Sequence, residues 1–491
     1  MKLYFSDFFE VSPNLVEDYG SFNISLINDL PLFIDPFLLF GSAEKEYQDL
    51  HESILKYLKF LKGKSEKGIT NLGQIRAWYL FQEIKQNWFG YSRVGNSGSG
   101  LGLNFGRALS SSLHIVFDDL GKETITESSH LEKACLFEIG VGRDNISDFT
   151  ANLIKEYLLD YTQKFAIQNI DKKFCKKFTV KKVYFNYTLE RWMPKEYYLP
   201  SFDNDFVLLT PRDILTKDDT WINSNDLRED FDRICISIPN EQLRTEIYNY
   251  FSTRLPEIRD DRKKHTQREI SNAIHETIKQ FPQIIKWFIK SKEENKIGAK
   301  SLAENNVKEV EELFINQMKV FTELLNSNTK FYKINPISSY DESLKRVHFL
   351  KEVIEKNDGW KLFYINDEPI KREADLQVIY RLTWFASDLD VNREPNNGRG
   401  PVDYAISIGS SNKTLVEFKL ASNSKLRQNL CNQVEAYEKA NNSKTSIKVI
   451  FYSNESEYKR VNSILKDSKL DQEENIVLID AGEKVSASNI K

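Results

Sequence analysis

The spacing of apolar residues changes along the chain. Over 43–62 they recur three and four residues apart, in "YQDLHESILKYLKFL", which predicts an amphipathic helix. The stretch 130–165 carries another at Leu153, Ile154, Leu158 and Tyr161. Ser147 or Asp148 is its candidate N-cap, and "KACLFEIGVG" ahead of it reads as a short strand or a helix end. "KKVYFNYTL" (181–189) alternates as a strand does, and "DFVLLTPRDIL" (205–215) reads as a buried strand ended by Pro211. From 241 to about 340 the spacing is helical, in "RTEIYNYFSTRL", "REISNAIHETIKQFPQIIKWFIKSKEENK" and "VKEVEELFINQMKVFTELLN".

After 341 the pattern changes again. Helices at "SLKRVHFLKEVIEKN" and "KREADLQVIYRLTWFASDL" precede a strand pair within 398–426. A helix at "LRQNLCNQVEAYEKAN", a strand at "SIKVIFYS", a helix at "SEYKRVNSILKDS" and a last strand at "NIVLIDAG" follow. Strand–helix–strand order implies parallel pairing with helices over a sheet. The chain thus divides into an N-terminal α+β domain at 1–240, a helical connector at 241–340 and a C-terminal α/β domain at 341–491.

Composition narrows the classes. The 491 residues suffice for several domains, and 40% apolar with 29% charged residues describes a folded, soluble chain. A net charge of −4 argues against a histone-like binder but leaves room for a local basic groove. Cys135, Cys175, Cys235 and Cys431 have neither zinc-ligand nor disulfide-framework spacing. No secretory leader is evident and no apolar run reaches eighteen residues, so no membrane association is expected and the cytoplasm is the expected compartment. The Gly/Ser-rich stretch 90–106 lacks GxxxxGK[ST] and reads as a loop. The charged run 259–268, with Lys263, Lys264, His265 and Arg268, reads as a solvated helix face, with a phosphate-facing surface as the sharper alternative. Glu138, Arg143, Asp144 and Asp148, and likewise Asp213, Asp218, Asp219 and Trp221, read as caps and ion pairs.

The stretch that carries chemistry is "GRGPVDYAISIGSSNKTLVEFKLASNSKL" (398–426). Asp403 follows a turn set by Gly398, Gly400 and Pro401, and Glu417 and Lys419 come fourteen and sixteen residues later. Period-two alternation puts Glu417 and Lys419 on one face with Leu415, and Val416, Phe418 and Leu420 on the other. If the strands pair, Asp403 and Glu417 meet at one end. Two carboxylates on rigid strands suit a hard cation, and a lysine beside them can orient a water or balance developing charge. The plain alternative is a wet strand face bearing a weak Glu–Lys pair.

Asp403 after Pro401 (with Val402 between them) and the Glu417-Phe418-Lys419 triplet resemble the PD-(D/E)XK, or restriction-endonuclease-like, nuclease superfamily, and look like nuclease domains of bacterial anti-phage defence proteins. The resemblance spans roughly 370–480. It implies an αβββαβ-type core, a mixed sheet flanked by helices. It also implies a metal-dependent endonuclease that hydrolyses phosphodiester bonds with Mg²⁺ or Mn²⁺. Asp403, Glu417 and Lys419 carry over as catalytic, with Glu373 on the preceding helix as a further metal ligand (Asp375 in reserve). Gln433, with Tyr437, matches the family's Q-x-x-x-Y helix. Arg399, Lys425 and Arg427 are the candidate phosphate contacts. The implied partner is nucleic acid, DNA before RNA. A homo-oligomer and a phage-derived trigger acting through residues 1–340 fit the same analogy. The competing classes are a catalytically inactive nuclease-like binding or scaffold protein and an RNA or tRNA nuclease.

Overall fold

The computed structural model describes residues 2–482 apart from 28, 69–70, 91–102, 138–142, 218, 258–263, 329–337, 357–363, 366–367, 370–378, 381–382, 385–389, 394–402, 409–411 and 431–444. The architecture is mixed α/β, with an N-terminal α+β region, a helical middle and a C-terminal mixed sheet flanked by helices.

The Lys45–Ser65 helix buries Tyr47, Ile54, Tyr57, Leu58 and Leu61, the stripe expected from its spacing. Strands in this half are β1 (Phe33–Ile34), β2 (Cys175–Asn186), β3 (Arg191–Phe202), β4 (Asp205–Phe206) and β5 (Leu215–Thr216). β1 pairs with β5, and β2–β3–β4 form an antiparallel sheet with a register shift between Val180 and Tyr184. The 205–215 run is buried as expected, but only Asp205–Phe206 joins a sheet before Pro211. Beyond it the Val207 and Leu208 N–H groups bond to the carbonyls of Pro200 and Gln86 outside any ladder. Apolar content set burial there, while pairing is piecemeal: Pro211 bridges to Ser21 and Leu215 pairs with Ile34. Neither Ser147 nor Asp148 is a cap: the stretch forms two helices, Arg143–Leu153 and Lys155–Asn169, with Leu158 and Tyr161 in the second, and the Ser147 hydroxyl accepts the Ile34 N–H at 2.9 Å, tying the first to β1. The "KACLF" segment is helical, at Lys133–Phe137.

The middle holds the helices Glu241–Arg254, Gln267–Gln280, Gln283–Glu293 and Lys296–Glu311. Thr266 and Glu269 form a reciprocal capping box at the start of the second. The fourth continues through a π-helical turn, Glu312–Gln317, into Met318–Asn328. The wider turn leaves backbone carbonyls off the regular ladder. The Tyr4 hydroxyl donates to the carbonyls of Phe314 and Ile315 there, at 2.7 and 3.1 Å. Within the run 259–268, residues 259–263 lie outside the described part. Lys264 and Arg268 are exposed.

The C-terminal region opens with the Ser339–Lys356 helix, a short pair of β6 (Tyr364–Ile365) with β7 (Glu368–Pro369), and then a five-stranded sheet. Its strands are β8 (Asp390–Arg393), β9 (Tyr404–Ile408), β10 (Asn412–Leu420), β11 (Thr445–Tyr452) and β12 (Ile476–Asp480), in the spatial order β12-β11-β10-β9-β8. β8–β9 and β9–β10 are antiparallel, whereas β10–β11 and β11–β12 are parallel. β8 is an addition to the sequence reading, because "DVNR" shows no apolar alternation to announce it.

Both faces of the sheet are covered. On one, Val416, Phe418, Tyr404, Ile406, Val449 and Phe451 join the main core with Val347, Leu350 and Ile354 of the Ser339–Lys356 helix. Burying Val416 and Phe418 fully stabilises by roughly 1.5–3 kcal/mol each. On the other, Ile450 packs with Leu426, Leu430, Val461 and Leu465, the last two from the Glu455–Asp467 helix. Arg460 of that helix donates to the carbonyls of Ala421 and Asn423, fixing the chain where β10 ends.

Candidate active site

β10 is the central strand of the sheet, and its interior carries ions. Glu417 and Lys419 are 5% and 8% exposed, so this is not the wet strand face of the plain alternative. Their side chains point away from the Val416–Phe418 core, onto the face shared with Leu415, as alternation requires.

The β9–β10 register pairs Val416 with Tyr404 and Leu415 with Ala405, so the next position brings Asp403 opposite Glu417. Asp403 sits just before β9, and one of its carboxylate oxygens accepts the backbone N–H of Phe418. That bond aims the side chain at the gap between Glu417 and Lys419. The Lys419 ammonium lies 4.0 Å from the same Asp403 oxygen, with both side chains largely shielded from water. Three of the expected site residues therefore converge.

A fourth charge belongs to this face and has no place in the motif. The parallel β10–β11 register sets Lys448 beside Glu417. Lys448 is buried, and its ammonium donates to the Leu430 carbonyl at 3.0 Å, joining the sheet to the helical turn at 426–430. The only sequence signal was a lysine alternating between Ile447 and Val449 in an otherwise apolar strand.

The flanking cations are placed differently. Lys425 is exposed in the turn after β10, and its backbone N–H bonds to the Asn423 side chain. The Arg427 guanidinium lies 3.2 Å from the Asp467 carboxylate on the outer surface, so the structure gives it an ion pair of its own. Glu373, Asp375, Arg399, Gln433 and Tyr437 lie outside the described residues.

The scaffold behind the site is rigid. Phe418 packs against Tyr380, Tyr404 and Phe451, with ring centroids 5.0, 6.3 and 6.1 Å away. Arg346, fully buried, pairs with Glu342, donates to the Thr383 carbonyl and lies 3.9 Å over the Trp384 ring. Ser339 bonds to Asn412 and Thr414, locking the first helix to the start of β10.

Among the described residues no group of three or more His, Cys, Asp and Glu side chains is arranged to hold a metal ion. Asp403 and Glu417 supply two carboxylates from facing positions, an oxygen donor set that suits a hard divalent cation retaining its own waters. Of the N-terminal residues read as caps and ion pairs, Asp213 accepts the Tyr47 hydroxyl at 2.7 Å and Trp221 donates its backbone N–H to Asp35, while Glu138 and Asp218 lie outside the described residues. No helix among the described residues is long and apolar enough to cross a membrane.

Residues 10–223 match a family model described as "Domain of unknown function (DUF8370)", and residues 339–455 match a second described as "Domain of unknown function (DUF8371)". The second starts at the first residue of the Ser339–Lys356 helix and takes in β8 to β11, with Asp403, Glu417 and Lys419. No curated protein and no solved structure matches the chain.

Proposed function

We propose that the C-terminal region is a metal-dependent phosphodiesterase domain of the PD-(D/E)XK type, acting on nucleic acid, DNA before RNA. The observation that carries this reading is the convergence of Asp403, Glu417 and Lys419 on the interior face of a central strand. Burying ions in a sheet costs stability unless each is paired and hydrogen-bonded, and an apolar strand would serve the fold better. Charges kept at such a cost mark a working site. The architecture supports the same reading: the Ser339–Lys356 helix, β8 to β10, β11, the Glu455–Asp467 helix and β12 make a mixed sheet flanked by helices, and the helix that the family plan sets between β10 and β11 is described only at 426–430.

In this reading Asp403 and Glu417 hold one divalent cation, Mg²⁺ or Mn²⁺, with Glu373 as an additional ligand. The bound cation supplies charge stabilisation at a phosphoryl oxygen and a more acidic water. Phe418 N–H fixes the Asp403 carboxylate, and Lys419 orients the attacking water and offsets charge growing on the phosphate. Lys425 and Arg399 contact the substrate backbone, and Arg427 joins them if it leaves Asp467. Residues 1–340 select the target or restrain the nuclease until an infection signal arrives.

One observation favours a second reading. Lys419 already sits beside Asp403, so the same charges could serve as a structural ion pair in an inactive nuclease-like scaffold. Incubating the purified chain with plasmid, linear DNA and total RNA, with and without Mg²⁺, separates the two. Metal-dependent breakdown of any of them supports the enzyme, and intact substrates in every arm support the scaffold.

A further inference from the structure

We propose that the lysine-rich side of the β2–β3 hairpin is a phosphate-binding surface that takes the backbone of a nucleic acid. Lys172, Lys173, Lys176, Lys177, Lys181 and Lys182 fall within eleven residues of a chain whose net charge is −4. All but Lys182 are exposed.

Two of the six are committed to the fold. Lys173 pairs with Glu10 at 2.9 Å, and Lys182 donates to the Leu80 carbonyl with its ammonium 5.6 Å from the Phe81 ring. Among the described residues, Lys172, Lys176, Lys177 and Lys181 have no acidic partner. Of the nearby acids, the Asp171 carboxylate accepts the Lys173 N–H, and Glu196, in register with Thr179, makes an ion pair with none of the four. Lys155 adds a further cation, its ammonium donating to the Lys181 carbonyl at 3.1 Å.

Alternation sets Lys177 and Lys181 on one face of β2 and Lys176 on the other, with Lys172 in the turn before it, so the four ammonium groups flank an edge strand of the sheet. At a rise of about 3.3 Å per residue, Lys176 to Lys181 spans roughly 17 Å of strand, about half a turn of duplex, and Lys172 extends it by one 3-10 turn. Lysines so placed follow phosphates without reading sequence. Tyr198, in register with Lys177 and partly exposed, offers a ring on which an unpaired base can stack, which favours nucleic acid over an anionic lipid surface. The proposal goes beyond the phosphodiesterase reading, because it concerns binding by the other half of the chain and needs no cutting.

The test uses the full chain in EDTA, with fluorescence anisotropy of a labelled DNA duplex and a labelled single-stranded RNA across a salt series. The proposal expects binding that weakens steeply with salt. It expects the Lys172→Gln/Lys176→Gln/Lys177→Gln/Lys181→Gln protein to bind at least about tenfold more weakly, with a log–log salt slope shallower by about 3 to 4. A control with Lys45→Gln, Lys59→Gln, Lys356→Gln and Lys459→Gln should match the wild type, and both variants should melt where it does. Failure of the wild type to bind either nucleic acid, or a quadruple variant with unchanged affinity and slope, overturns the proposal. So does preferential binding to phosphatidylserine vesicles. Binding without cleavage when Mg²⁺ is restored would leave this surface standing and count against the phosphodiesterase. Cleavage with unchanged binding in the quadruple variant would do the reverse.

Discussion

The Asp403 carboxylate accepts the backbone N–H of Phe418, the residue between Glu417 and Lys419. A loop residue is thereby held against the centre of a rigid strand, and both neighbours of Phe418 face it. If this carboxylate pair binds a divalent cation, the metal should stabilise the fold. At a hundredfold excess over the dissociation constant the gain is about 2.7 kcal/mol. Mn²⁺ should raise the melting temperature of the wild type and leave that of Glu417→Gln unmoved. Equal shifts in both would place the metal elsewhere.

Arg346 supports the site from the opposite face of the sheet. Arg346→Met leaves the buried Glu342 carboxylate and the Thr383 carbonyl without their donor, and should cost about 3–5 kcal/mol in urea unfolding. The double variant Glu342→Leu/Arg346→Met should recover much of that loss, because it leaves no buried charge behind.

Tyr4 joins the start of the chain to the π-helical turn. Tyr4→Phe removes only the hydroxyl that bonds to Phe314 and Ile315, and should destabilise by about 1–2 kcal/mol. Amide exchange should quicken selectively across 312–317, whereas a uniform change along the chain would speak against a local role.

Acid stability should depend on His51. Burial, and then the neighbouring His130, lower its pKa from 6.5 to about 3. The unfolded chain takes up a proton near 6.5 that the native state refuses, so stability falls as pH drops from about 6.5 towards 3, by at most about 1.4 kcal/mol per pH unit. His130, buried and bonded to Glu293 at 2.8 Å, is pushed down too. Asp35 works in the opposite sense between about 4 and 6: burial raises its pKa to about 6, so its contribution is lost as pH rises through that range. His51→Gln should flatten the acid limb of a stability–pH curve measured by urea titration. An unchanged limb would mean that His51 titrates alike in the folded and unfolded states.

Alternation made β9 and β10 readable, because a period of two assigns Val416 and Phe418 to one face and Glu417 and Lys419 to the other without knowledge of any partner strand. The same rule could not find β8, which has a single apolar residue, Val391, nor show that Lys448 stands beside Glu417, since that depends on a parallel register set by distant chain. The 205–215 run shows the converse, apolar enough to be buried yet without a strand to pair along its length. His130 and Glu293, or Asp35 and Trp221, meet across long sequence separations that no local pattern encodes. The lysines of β2 are plain in the sequence, but which of them are committed to Glu10 or Leu80 is a matter of packing.

The phosphodiesterase reading stands or falls on the rate of Mg²⁺-dependent cleavage by the wild type beside Asp403→Asn, Glu417→Gln and Lys419→Met, each verified as folded by its melting curve. The account predicts cleavage by the wild type and losses of at least about a hundredfold in all three. Cleavage that persists at the wild-type rate in the three variants, or a wild type that cuts neither DNA nor RNA, would contradict it.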